Sequence, residues 1–126
     1  MWVRRVDPQN GSQTAAQIWL QNDQNSEVDL IISGWETDGT KSTGCSNLDC
    51  TGFVPVNGAP ITPGNTLDHN TGQTKNTLKI FYSLDDGDWW LHFGNDIGSL
   101  SAVGYWPNSL FKSLDHVTVV AWGGYT

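Results

Sequence analysis

The sequence predicts an all-β fold of antiparallel strands, a sandwich or a partly open barrel, and three observations carry that expectation. Seven Trp, four Phe and three Tyr supply bulky apolar surface in 126 residues, and such side chains fit a pleated, half-buried surface. Gly, Asn, Ser and Thr are abundant while helix-favouring Glu, Lys, Ala and Met are scarce, which favours tight turns over long helices. Short apolar runs recur between clusters of turn residues, the pattern of an all-β domain. A chain of this length accommodates one domain around one core.

Residues 1–14 are expected to form a poorly ordered extension, with the folded domain over 15–126. Strands are expected near Ala15–Leu20, Val28–Ser33, Gly52–Val56, Leu78–Ser83, Trp89–Phe93 and Val117–Trp122, each rich in β-branched or aromatic residues. Val28 to Ile32 is close to continuously apolar, which predicts burial on both faces. Asp85-Asp86-Gly87-Asp88 lies between two apolar runs and predicts a hairpin turn, because Gly accepts positive φ and Asp tolerates it. Pro and Gly scattered from Asn57 to Asn76 predict a long loop. At most one short helix is expected, near 107–114, with Pro107 at its first position and Leu110, Phe111 and Leu114 on one face.

Charge and motifs exclude several functions. A formal charge of −7 with six basic residues argues against a nucleic-acid partner and an anionic membrane surface. No apolar run reaches the roughly 20 residues that span a bilayer. The start, Met1-Trp2-Val3-Arg4-Arg5, is followed by no apolar stretch, so it does not read as a signal peptide.

Cys45 and Cys50 stand in Gly44-Cys45-Ser46-Asn47-Leu48-Asp49-Cys50. Without a nearby His they cannot complete a four-ligand metal site, and the spacing is not that of a redox Cys-x-x-Cys. A local disulfide closing a turn is the favoured reading, which implies an oxidising compartment. Asp85, Asp86 and Asp88 offer oxygen ligands for calcium, but EF-hand spacing is missing and a hairpin turn explains them equally. His69, His92 and His116 are scattered and no pair has metal-ligand spacing, so neither metal nor cofactor is expected. No Gly-x-Ser-x-Gly elbow is present. Trp89 and Trp90 are adjacent on a strand, so their side chains point to opposite faces. Together with Trp35, Tyr105 and Trp106 they could line a groove that stacks sugar or proline rings, or they could fill the core.

Four segments in order carry a resemblance to the neprosin family. Gly44-Cys45-Ser46-Asn47-Leu48-Asp49-Cys50-Thr51-Gly52-Phe53-Val54 resembles its GC-x-N-L-x-C-x-GF-V segment. Gly87-Asp88-Trp89-Trp90-Leu91-His92-Phe93-Gly94-Asn95 is similar to its G-N-WW-L-x-F-G-N stretch. Gly104-Tyr105-Trp106-Pro107-Asn108-Ser109-Leu110-Phe111 and Trp122-Gly123-Gly124 resemble its GYWP-x-x-LF and WGG segments. Gln17-Ile18-Trp19-Leu20 matches a shorter Q-I-W strand.

The resemblance covers about residues 15–124 and implies a β-sandwich, mostly plant secreted relatives, and a glutamic peptidase cleaving after proline. In that mechanism two glutamates activate a water between them: one carboxylate accepts a proton while the other donates one. The first family glutamate stands in a Glu-x-Gly-Trp pattern, which places Ile32 at its position before Gly34-Trp35. The second immediately precedes the Trp of Trp-Gly-Gly, where this chain has Ala121.

The chain's two glutamates are Glu27 and Glu36, and a shorter hairpin than the family's leaves either as a candidate for the first role. Family domains continue past Trp-Gly-Gly, so the chain is expected to be a shortened copy. Three readings follow. The first is a shortened, non-catalytic neprosin-type domain. The second is an acid peptidase using Glu27 or Glu36 with an Asp such as Asp115. The third is an aromatic-groove module for proline-rich peptides or cell-wall glycans.

Overall fold

Seven strands in two antiparallel sheets make up the architecture of the computed structural model, which describes residues 15–25, 27–36, 52–65, 76–112 and 114–125. The strands are β1 (Ala15–Asn25), β2 (Glu27–Glu36), β3 (Val54–Pro55), β4 (Thr77–Tyr82), β5 (Trp89–Gly94), β6 (Ser101–Trp106) and β7 (Val119–Tyr125). One sheet has the order β2-β1-β7 and the other β3-β6-β5-β4. This is the all-β, antiparallel class that the composition predicts. The expected extension over 1–14 and the Cys45–Cys50 segment lie outside the described residues, as does His69.

The four-stranded sheet shows how a strand sequence chooses its faces. β5 alternates strictly: Trp89, Leu91 and Phe93 are buried, while Trp90, His92 and Gly94 are half-buried. The expectation that Trp89 and Trp90 part to opposite faces is met. Leu91, Phe93 and Val103 form the core, with Phe53, Ile61, Leu78, Ile80 and Trp106 packed against them. Replacing Leu91 by Ala should cost about 2–5 kcal/mol, since the cavity adds to the lost transfer term. A fall in the urea midpoint with an unchanged slope would register it.

The β4–β5 hairpin closes as the Asp-Gly signal predicts. Gly87 takes φ 77°, Ser83 N–H donates to Asp88 O at 2.9 Å, and Gly87 N–H donates to Ser83 O at 2.8 Å. The turn begins earlier than expected, so Leu84 is fully in solvent instead of in the strand.

Three expectations need correction. β6 is a strand where none is predicted. Its pairing with β5 runs Leu91 to Gly104 and then His92 to Ala102, so Val103 is the extra residue of a bulge and turns fully into the core. The apolar run of β2 is not buried on both faces: Ile31 is 1% exposed, but Val28, Leu30 and Ile32 are 59%, 43% and 47% exposed. A half-covered antiparallel sheet produces this two-residue period whatever the composition. The helix near 107–114 reduces to one 3-10 turn over Asn108–Leu110, closed by Leu110 N–H donating to Pro107 O at 3.0 Å. A second 3-10 turn spans Ile97–Ser99.

The three-stranded sheet pairs β1 at its centre with both neighbours. Leu20 faces Ile31 of β2 and Val120 of β7, and Leu20, Ile31 and Asn22 are buried. The buried Asn22 amide donates to His116 O at 3.1 Å, which offsets its desolvation. Thr118 ties the entry of β7 to β1: its N–H donates to Gln21 O at 2.8 Å and its hydroxyl to Asp23 Oδ1 at 2.6 Å. Among the described residues no helix is long and apolar enough to cross a membrane.

Candidate functional site

Trp19 is the centre of the first candidate site, because it has the same strand register to both of its neighbours. It pairs with Ile32 on β2 and with Ala121 on β7. Residues directly opposite one another across a sheet share a face, so Ile32, Trp19 and Ala121 form one row. Adjacent strands lie about 4.8 Å apart, which sets the backbones of Ile32 and Ala121 at roughly 10 Å from each other. These are the two positions that the motif comparison aligns with glutamates. Carboxylates at both positions would stand on one face, one on each side of Trp19. Ile32 is half-exposed and Ala121 exposed, and neither side chain exchanges a proton.

Glu27 and Glu36 stand at opposite ends of β2, paired with Asn25 and Ala15. Their side chains and that of Trp35 lie outside the described residues. Asp115 precedes β7 in an exposed segment and contacts His116 Nδ1 at 2.5 Å.

The aromatic set divides between the faces of the four-stranded sheet. Trp89 is buried, with Tyr82 beside it at 5.5 Å between centroids. Trp106 packs on the core and meets Phe53 edge-on at 4.8 Å. Trp90 and Tyr105 lie on the other face, half-buried, with centroids 4.9 Å apart. Phe81 pairs with Trp90 on that face and meets His92 edge-on at 5.0 Å. Phe81 does not stand out in the sequence and His92 only as one of three scattered histidines, because only the register of β4 against β5 brings them beside Trp90.

The hairpin carboxylates are engaged within the turn. Asp86 Oδ1 accepts from Asp88 N–H at 2.9 Å and Oδ2 from Trp90 Nε1–H at 3.0 Å. Asp88 Oδ1 accepts from Asn108 N–H at 2.8 Å. The Asp88 N–H is the main cause that holds the Asp86 carboxyl below the usual range, and the Trp90 and Ser83 donors add to it. A depressed carboxylate favours the folded turn above the ordinary Asp range, and that contribution disappears as pH falls through the lowered value. The Trp90 indole N–H resonance should therefore titrate with a midpoint below the usual Asp range. Trp90→Phe should move the Asp86 midpoint upward. Burial, with Lys79 nearby, pushes the His92 imidazole down, so it is neutral around pH 7.

No solved structure matches the chain. A family model for neprosin matches residues 20–126, the stretch that contains Trp19's partners Ile32 and Ala121 and all of the four-stranded sheet. The chain belongs to the neprosin family.

Proposed function

We propose that this neprosin-family domain is not a peptidase, because its catalytic carboxylate pair has been replaced by Ile32 and Ala121. The observation that carries the reading is the shared register of these two residues to Trp19. Positions on one face, separated by a single strand, are where two carboxylates could divide a proton between them. One must accept it from water and the other must donate. An isoleucine and an alanine do neither. By the same family resemblance the domain is secreted, and the short spacing of Cys45 and Cys50 supports a disulfide between them. Alkylation of both thiols only after reduction would be the sign of that bond.

The test is a proline-containing peptide incubated with the purified chain at pH 4–5. The peptide should remain intact. Cleavage that disappears in Glu27→Gln or Glu36→Gln would overturn the proposal in favour of a peptidase with relocated carboxylates.

A further inference from the structure

The four-stranded sheet carries a row of rings on the face opposite its core. Its register aligns Val54, Tyr105, Trp90 and Phe81 across β3, β6, β5 and β4, and all four are half-buried. Trp90 is held from two directions: Tyr105 packs on it at 4.9 Å, and its Nε1–H is fixed by Asp86. Phe81, Trp90 and His92 join Ser83, Asp85 and Asp86 around an open depression of about 280 Å³. That volume is at the small end of ligand sites and suits one headgroup better than an extended chain.

We propose that this depression binds an organic cation, an ammonium or guanidinium group of the kind that Lys and Arg side chains carry. Aromatic faces are negative and attract a cation within about 6 Å of the ring centroid, Trp most strongly. The sheet already shows one such contact, since Lys79 Nζ stands 4.8 Å over the Phe81 ring. An incoming cation takes the Trp90 side, beside Asp86. Donation of the Trp90 N–H to a carboxylate enriches the indole face in electron density, which strengthens the attraction. Asp86 remains ionised because backbone and side-chain donors hold its carboxyl low. Burial holds the His92 imidazole low, so the opposing charge on this face is that of Lys79, on the Phe81 side. The net charge of −7 draws cations toward the surface as a whole. A saccharide would stack on the same rings and donate hydroxyls to the same carboxylates, so a neutral sugar belongs among the probes.

This site is independent of the Ile32–Ala121 row and does not require the peptidase proposal to hold. The test follows the Trp90 indole N–H resonance of the labelled full chain, assigned by its loss in Trp90→Phe. The probes are the N-acetyl methylamides of arginine, lysine and neutral citrulline, and methyl glucoside. At pH 7 at least one of the cationic probes should move the resonance to saturation, while citrulline and glucoside leave it in place. Asp85→Asn changes an exposed turn residue and should weaken cation binding about threefold or more without unfolding the chain. Silence toward both cations would overturn the proposal, as would an equal response to citrulline or unchanged affinity in Asp85→Asn. A response to methyl glucoside alone would assign the rings to saccharide instead.

Discussion

Gly104→Val should abolish folding of the four-stranded sheet. Gly104 sits in β6 between Pro55 of β3 and Leu91 of β5, and it is buried. A Cβ built there overlaps the Val54 carbonyl oxygen and stands 2.6 Å from two atoms of the Phe53 ring. The carbonyl is backbone and cannot retreat without separating β3 from β6. Phe53 is itself braced against Trp106. Overpacking a tight site costs about 1–3 kcal/mol for added methylenes that can be accommodated, and a backbone overlap exceeds that. Domains of this size have only about 5–15 kcal/mol in total. Circular dichroism and thermal denaturation would show the loss. Gly58→Ala is the control: its glycine has φ 73° with open space around it, so the cost is the positive φ alone, about 1 kcal/mol.

The second large effect is a gain of activity. Ile32→Glu combined with Ala121→Glu should produce cleavage after proline at acidic pH, with both new carboxylates on the Trp19 row. Ile32 is 47% exposed and Ala121 is exposed, so each glutamate remains in water and stability should change by less than about 1 kcal/mol. Either substitution alone supplies only half of the acid–base pair and should be slower by about 10²-fold or more. The rate should fall toward neutral pH, because the donor carboxyl then loses its proton. Equal activity in a single variant would show that the pair does not work as proposed.

The parts of the fold legible in the sequence were those set by neighbours along the chain. β5 alternates Trp, Leu and Phe inward, and Asp-Gly marks the turn before it, so both strand and hairpin are visible without long-range information. β6 was hidden because Ser101, Ala102 and Gly104 lack the branched or aromatic character of a strand. Only the bulge against Leu91 and His92 reveals why Val103 is fully buried. The β2 run misled for the opposite reason: four of its five residues from Val28 to Ile32 are apolar, and which face is covered depends on the rest of the sheet.

The candidate site divides in the same way. Motif spacing identifies Ile32 and Ala121 separately, yet their meeting at Trp19 depends on pairing β1 with β7, from opposite ends of the chain. The Asp86–Trp90 hydrogen bond, in contrast, spans one short turn and could have been anticipated from an acid four residues before an indole N–H. The division of the ring set between core and outer face could be anticipated for adjacent Trp89 and Trp90. For Phe81 and Tyr105 it required the strand register.

Ile32 and Ala121 share one row with Trp19 between them. Cross-strand nuclear Overhauser effects in the folded chain test it most directly. Backbone protons of Trp19 should show contacts to those of Ile32 on one side and Ala121 on the other. Contacts of Trp19 to Ile31 and Val120 in their place would mean a one-residue slip, which moves every side chain to the other face, and would take Ile32 and Ala121 off the Trp19 row.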